Sequence, residues 1–400
     1  MMKPRILILM HYMELGGAEM SLLGLLDALE PERVDVDLFI YSHQGPLMQF
    51  IPAWINLLPE IPAYSVIERP LKETIRKGYI KVALGRLLAK VKHRQYRRKH
   101  PTSASDASIF QYVGDCVTPC LPAINPDVEY DLCISYLNPH NIGLEKVRAK
   151  KRLAWIHTDY KAISINAADE LRIWGAYDNI ASISADVRKS FLEIFPSLSG
   201  KIIDIENILP ANYILKRVEE LEVPVSDKSV TLLSIGRFCE AKNYDNVPDI
   251  ARRIINHGIS NLKWYLIGYG GDEALIRAKI REAGMEEHVI ILGKKDNPYP
   301  YIKACDIYVQ PSRYEGKSIT VREAQILGKP VVVTSYKTAS SQINDGLDGV
   351  IVPLDNEGCA RGLADFIADA ELRAAIAANI TTADHAATAE VAKIYSLIEE

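Results

Sequence analysis

The most chemically suggestive stretch of the sequence runs Ser312-Arg-Tyr-Glu-Gly-Lys-Ser-Ile-Thr-Val-Arg-Glu-Ala324. Two carboxylates, Glu315 and Glu323, stand eight residues apart. The first falls in a loop after an apolar run ending at Gln310, the second in the first turns of a helix expected over 321–327. Gly316 permits close backbone approach, and with Lys317 and Ser318 it leads N–H groups to a helix N-terminus, a setting that suits phosphate or another anion. A carboxylate one turn further in can accept two hydroxyl hydrogen bonds, as from a ribose. In isolation, acids that merely complement the helix macrodipole would look the same.

A second stretch, Ser234-Ile-Gly-Arg-Phe-Cys-Glu-Ala-Lys-Asn243, places Arg237 and Lys242 directly behind an apolar strand expected over 230–235. Ligands of open α/β sheets sit beyond the carboxyl ends of the strands. Arg offers a bidentate fork and Lys a point charge, a combination that suits a diphosphate. Two surface cations in a turn are the plainer alternative. A third feature is Gly16-Gly17, between the first strand and the first helix, where a glycine pair permits a tight turn and backbone contact with a ligand. The dinucleotide fingerprint GxGxxG is absent. Gly268-Tyr-Gly-Gly271 follows another strand end and fits plain turn chemistry equally well. His157 ends an apolar run, where a lone His is commonly structural. Asp35-Val-Asp37 mimics an acidic metal-binding pair. Its acids alternate with Val34, Val36, Leu38 and Ile40, which puts both on the polar face of a strand. No metal ligand set is expected.

These residues need elements to hold them. Apolar runs at 5–10, 34–41, 131–136, 152–156 and 179–184 read as strands, with a helix over 18–29 after the first. A second series begins after 223–228: strands at 230–235, 263–268, 289–292, 306–310 and 330–334, with helices over 245–257, 273–283 and 321–327. Strands that alternate with helices argue for parallel sheets covered on both faces. The reading is two Rossmann-like domains, 1–212 and 213–385, with a last helix within 386–400 packing back on the first.

Composition agrees. At roughly 100–200 residues per domain, 400 residues make two or three domains. Hydrophobic residues at 48% and charged residues at 24% exclude wholesale disorder. The net charge of −4 gives no global footprint for nucleic acid. Six cysteines without zinc-finger spacing fit a reducing cytosol better than a disulfide scaffold. The first apolar run, Ile6 to Met10, is shorter than the roughly 7–15 residues of a signal peptide core. No run approaches the ~20 apolar residues of a membrane span. Residues 69–100 stand apart, with twelve Lys or Arg, one acid (Glu73), and Tyr79, Val82, Leu87, Leu88 and Val91 interleaved. This is a solvated helix with one core face or a basic amphipathic helix that rests on anionic lipid; nucleic acid is the remaining alternative, with no matching basic face or known motif elsewhere in the chain.

Taken together, the segments resemble the family 4 glycosyltransferases of the GT-B fold. The matching pieces are Gly16-Gly-Ala-Glu19, Trp155-Ile-His-Thr-Asp159, Gly236-Arg237 with Lys242, and Ser312-x2-Glu315-Gly316-x6-Glu323-Ala324. Gly328-Lys-Pro-Val-Val332 and Asp345-Gly346-x2-Gly349 join them. The resemblance spans nearly the whole chain, with 60–125 the least matched. After Glu206-Asn207 the family often continues Gly-Val-Asp, where this chain has Ile208-Leu-Pro210; the departure touches the interdomain linker.

The resemblance implies an α/β protein whose two Rossmann-like domains face each other across a cleft. The N-terminal domain would serve the acceptor and the C-terminal one a nucleotide-diphosphate sugar. Arg237 and Lys242 would hold the diphosphate, and Glu323 the ribose. Glu315, Gly316 and Lys317, with Ser318 beside them, would contact sugar and phosphates. His157 would lie beside the transferred sugar, and Gly16 and Gly17 would allow closure over the donor. The expected activity is retaining hexosyl transfer without metal or cofactor. The expected acceptor is a glycan or lipid-linked glycan of a surface polysaccharide. The expected location is cytoplasmic, peripheral at the inner membrane face through 69–100. Rival readings are a nucleotide-sugar epimerase or hydrolase on the same fold, a silent sugar-nucleotide-binding module, and, weakened by the missing GxGxxG, a nicotinamide oxidoreductase.

Overall fold

A computed structural model describes residues 3–399 apart from 102–104, 162, 224–228, 316 and 382. The chain forms two compact units, Met1–Pro210 with Ala387–Glu400, and Ala211–Ala386.

The first unit contains strands β1 (Arg5–Met10), β2 (Asp35–Ile40), β3 (Asn56–Leu57), β4 (Ser105–Asp106), β5 (Tyr130–Ser135), β6 (Ala149–Ile156), β7 (Ile163–Ser164), β8 (Asn179–Ser182) and β9 (Ile202–Asp204). Seven of them make one parallel sheet in the order β3-β2-β1-β5-β6-β8-β9, while β4 and β7 pair separately. Ile6 to Met10 are all buried, because a parallel sheet is covered on both faces and its strands read as continuous apolar runs. The helix Gly17–Ala28 covers β1 with Leu22, Leu23, Leu25 and Leu26. The chain between β1 and β2 runs to one side of β1 and β5 lies on the other, so the gap between the ends of β1 and β5 is a topological switch point.

The same two-sided covering corrects the reading of Asp37. The acid does not face solvent: it is 2% exposed. The Arg5 guanidinium pairs with it at 2.9 Å, and it accepts hydrogen bonds from Tyr130 Oη at 2.6 Å and Asn56 Nδ2 at 2.7 Å. Only Asp35 is exposed.

The basic segment is two helices, Leu71–Arg76 and Ile80–Lys99, broken at Gly78, whose φ of 86° belongs to the left-handed region. The longer helix packs Val82, Ala83, Gly85 and Ala89 inward. Tyr79 is half-buried against the core. Ile80, Leu84, Leu87, Leu88 and Val91 are 44–59% exposed and share one face at helical spacing. The last helix, Val391–Glu399, docks on the first unit: Tyr395 Oη accepts from the Glu30 N–H at 2.7 Å, and the Arg33 guanidinium lies 3.8 Å over its ring.

The second unit holds β10 (Val230–Ile235), β11 (Leu262–Ile267), β12 (Val289–Gly293), β13 (Ile307–Gln310), β14 (Val331–Thr334) and β15 (Val350–Val352). The parallel order is β12-β11-β10-β13-β14-β15. Leu232, Trp264, Val309 and Val332 anchor its core. The order reverses between β10 and β13, which makes the loops after those strands the switch point of this sheet.

Candidate functional site

Both stretches singled out in the C-terminal half leave the sheet at that switch point. After β10 the chain passes Gly236 and the exposed Arg237, then makes a short 3-10 turn, Glu240–Lys242, closed by Asn243 at φ 61°. Asn243 is buried, and its Nδ2 donates to the Pro311 carbonyl at 2.9 Å. Arg313, from the loop after β13, grips Asp245 through two bonds of 2.9 and 2.7 Å. The two loops are thereby clamped together, and the clamp sets Lys242 against Glu315. Lys242 Nζ donates to Glu315 Oε1 at 2.5 Å, with the two side chains 19% and 13% exposed. Gln310 Nε2 and Ser312 Oγ donate to the same oxygen at 3.1 and 2.7 Å. Glu315 is fixed by three donors on one oxygen. Among the described residues Arg237 has neither hydrogen bond nor ion pair on its guanidinium.

The glycines after β11 have a physical role here. A Cβ on Gly268 would lie 1.9 Å from the Gly236 carbonyl oxygen, and one on Gly270 2.2 Å from that of Phe238. Only glycine lets these two loops touch backbone to backbone, and the Phe238 N–H donates to the Tyr269 carbonyl at 2.8 Å.

Glu323 lies one turn into the helix Ile319–Ile326. It is 7% exposed and, among the described residues, accepts one hydrogen bond, from Tyr299 Oη at 3.0 Å. Burial pushes its carboxyl up to about 7, against the smaller downward pull of that bond. A buried carboxyl with one donor has room for more. Ser318 caps the helix, its N–H donating to Gln342 Oε1 at 3.0 Å while Gln342 Nε2 returns a bond to its carbonyl at 2.6 Å. Lys317 is exposed. Gly316 lies outside the described residues.

The remaining residues singled out belong to the first unit. His157 follows β6, stacked on Trp155 at 5.9 Å and 4.7 Å from the Tyr136 ring. Burial pushes its pKa down to about 3, so the ring is neutral at ordinary pH, and Nε2 is buried without a protein partner. Gly16 caps the first helix under the Glu19 carboxylate, which a Cβ would meet at 2.2 Å. Gly17 has open space where a Cβ would stand.

Residues 218–382 match the family model described as "Glycosyl transferases group 1". That stretch is similar to the group 1 glycosyl transferases. The chain is 30% identical over 175 residues to the N-acetylgalactosamine-N,N'-diacetylbacillosaminyl-diphospho-undecaprenol 4-alpha-N-acetylgalactosaminyltransferase of Campylobacter jejuni, covering 43% of this chain and 44% of that one. It is 26% identical over 161 residues to the lipopolysaccharide core biosynthesis glycosyltransferase LpsE of Rhizobium meliloti, covering 40% and 46%. The matches span less than half the length of these curated relatives. Solved structures resemble the chain over its whole length. Anabaena HepE in complex with UDP-glucose has a TM-score of 0.58 at 17% identity, covering 99% of this chain and 98% of that one. A mutant of S. aureus TarM, in complex with UDP and sugar ligands, has a TM-score of 0.62 at 12% identity, with full coverage of both. The chain has the GT-B fold expected from its sequence, and the clamped Lys242–Glu315 pair and the buried Glu323 all lie within the matched stretch.

Sequence reasoning passed over Tyr299 and the Arg313–Asp245 clamp, and gave no role to Gln310, Ser312 or Asn243. Gln310 carried a readable signal, a polar residue that ends an otherwise apolar strand. Tyr299 carried none, because it reaches Glu323 from 24 residues away.

Proposed function

We propose that this protein is a retaining glycosyltransferase that moves a sugar from a nucleotide-diphosphate sugar to a hydroxyl of a glycan or lipid-linked glycan, without a metal. The observation that carries the reading is the unpaired Arg237 beside a Lys242 held by Glu315, at the switch point of the stretch similar to the group 1 glycosyl transferases. A diphosphate arriving there meets a free guanidinium and an ammonium whose present partner is a single carboxylate oxygen. Lys242 can turn to the phosphate while Gln310 and Ser312 keep Glu315 in place. As the bond from sugar to diphosphate breaks, charge grows on the leaving oxygens, and both cations stabilise it without reorganisation. The departing diphosphate takes the proton of an acceptor hydroxyl attacking on the same face, so no enzyme nucleophile is required. Glu323, short of donors, suits the two hydroxyls of a ribose. A neutral His157 can hydrogen-bond a sugar hydroxyl without adding positive charge.

The exposed stripe of Ile80, Leu84, Leu87, Leu88 and Val91, flanked by Lys81, Lys92, Arg94, Arg98 and Lys99, supports peripheral contact with anionic lipid at a cytoplasmic membrane face. Among the described residues, no helix is long and apolar enough to cross a membrane.

The test is nucleotide release from a panel of nucleotide sugars, with and without lipid-linked acceptors. Arg237→Ala and Lys242→Ala should each lower kcat by about 10²-fold or more, as for loss of one electrostatic stabiliser. Near-normal kcat in both variants would overturn the assignment.

A further inference from the structure

The switch point of the first unit carries its own chemistry. A cavity of about 450 Å³ opens there, within the size range of small-molecule sites. A neighbouring one of about 330 Å³ includes His157. His11, Tyr12, Glu68 and Phe110 line both, so the two meet along one wall. His11 directly follows β1, and its Nδ1 lies 2.8 Å from Glu68 Oε1. A carboxylate can only accept, so Nδ1 carries the proton and His11 fixes the direction of Glu68. This bond is the main cause that draws the Glu68 carboxyl below its usual range. The Glu68 side chain stays 54% exposed, and among the described residues no hydrogen bond engages its second oxygen.

The larger cavity is also lined by Arg69 and Lys90. Neither has an ion pair or side-chain hydrogen bond among the described residues. Arg86 differs: its Nη1 donates to the carbonyls of Val66 at 3.2 Å and Arg69 at 2.5 Å, which makes it a strut under this wall. Arg97, on the same helix as Lys90, is by contrast paired with Asp106 at 2.8 Å. Unpaired cations beside a fixed carboxylate and an aromatic ring (Phe110, 54% exposed) form a mixed set. A carboxylate reads hydroxyls, an aromatic face covers a sugar ring, and cations read phosphate. Tyr41 Oη and His11 Nε2 on the larger cavity, and Trp155 Nε1 and His157 Nε2 on the smaller, are buried without protein partners, so hydrogen-bonding capacity on this side is unspent.

We propose that these joined cavities bind the acceptor as a glycosyl phosphate or diphosphate. Its phosphate would sit at Arg69 and Lys90, a hydroxyl of its sugar at Glu68, and its reacting end toward His157. His11 is a positioning residue that acts through Glu68. The inference rests on the glycosyltransferase reading above and gives its acceptor a chemical class. The phosphate source is either a free sugar phosphate or a lipid-linked one. Lys90 shares its helix with the exposed apolar stripe, which favours the lipid-linked source.

The experiment is calorimetric titration of the full chain with a panel of hexosyl 1-phosphates, the matching methyl hexosides, and a hexose linked through diphosphate to a short prenyl chain. UDP is titrated in parallel. One or more hexosyl phosphates should bind at least tenfold tighter than its methyl hexoside, the scale of a charge-assisted contact. Arg69→Ala with Lys90→Ala should erase that preference while UDP affinity and the melting temperature stay unchanged. Glu68→Gln should weaken sugar phosphate and methyl hexoside alike, and His11→Ala should do the same without touching the phosphate preference. A further tenfold gain for the prenyl compound identifies the lipid-linked source; equal affinity identifies the free one. Absent or equal binding of phosphorylated and methylated sugars, with UDP still bound, would overturn this inference alone. Sugar-phosphate preference with no binding of UDP or of any other nucleoside diphosphate in a panel of bases would overturn the donor reading and leave this site standing.

Discussion

Replacing Glu323 with Gln separates what this residue costs the fold from what it gives the ligand. The Glu323 carboxyl is held at about 7 against an ordinary value of 4.5 because burial penalises its charged form. The folded state therefore binds this proton more tightly than the unfolded chain does. Stability from this source is fully present below pH 4.5 and is lost as pH rises through about 7. One pKa unit corresponds to about 1.4 kcal/mol, so above pH 7 the ionised carboxylate costs about 3 kcal/mol. Gln is neutral at every pH, keeps an oxygen for Tyr299, and matches the shape. Thermal unfolding followed from pH 4 to 9 should show the variant level with wild type near pH 4. Its advantage should grow to about 6–12 °C at pH 8, given about 2–4 °C per kcal/mol for a unit of this size. The same substitution should weaken binding of whichever nucleoside diphosphate the donor panel identifies by tenfold or more, because a carboxylate accepting two ribose hydroxyls loses its charge. Wild type should also release protons on binding that nucleotide near pH 6.5, seen as buffer-dependent heats that the variant lacks. Parallel stability curves would refute the burial argument. An unchanged affinity for that nucleotide would refute the ribose role.

Two further outcomes test the rest of the reading. Transfer activity should survive EDTA, because Arg237 and Lys242 offset the diphosphate charge; loss on chelation with recovery on added Mn²⁺ or Mg²⁺ would count against it. The chain should sediment with vesicles rich in anionic lipid and release at high salt, since each nearby Lys or Arg contributes about 1 kcal/mol and salt screens it. Leu84→Ser with Leu87→Ser and Val91→Ser should abolish that binding, and sedimentation indifferent to lipid charge would show the stripe to have another partner.

Ten of the thirteen strands in the two sheets were legible because each is a short apolar run in a parallel sheet, where burial on both faces leaves little room for polar residues; β3, β9 and β15, of two or three residues each, are too short to show such a run. The loops at the second switch point were legible for the same reason in reverse. Arg237, Lys242 and Glu315 are charged residues placed just where an apolar strand stops. What stayed hidden depends on pairing across distance. The clamp from Arg313 to Asp245 joins residues 68 apart, and His11 meets Glu68 across 57. Neither spacing has a signature, since loop length between two strands does not fix which side chains meet. The helices Ala167–Ala176 and Ala370–Ile380 were also hidden. The second carries almost no one-sided apolar pattern, burying little beyond Ile376 and Ile380.

Asp37 shows where alternation misleads. Val34, Val36, Leu38 and Ile40 set a period of two, and a period of two reads as one wet face. In a doubly covered sheet the second face is dry as well, so a polar residue there needs partners rather than water. Asp37 finds them at the sheet's own edge: Arg5 beside it on β1, Asn56 on β3, and Tyr130 on β5. These three partners sit on different strands, so the acid ties β1, β2, β3 and β5 together at their amino-terminal halves. The carboxyl ends of β1, β2 and β5 lead instead to His11, Tyr41 and Pro139, around the larger cavity. The charged residue that looked most like a metal ligand therefore braces one end of the sheet, and the binding chemistry lies beyond the other. That division follows from strand direction: in a parallel sheet the connecting loops at the carboxyl ends are free to diverge and enclose a ligand, while the amino ends only have to stay together.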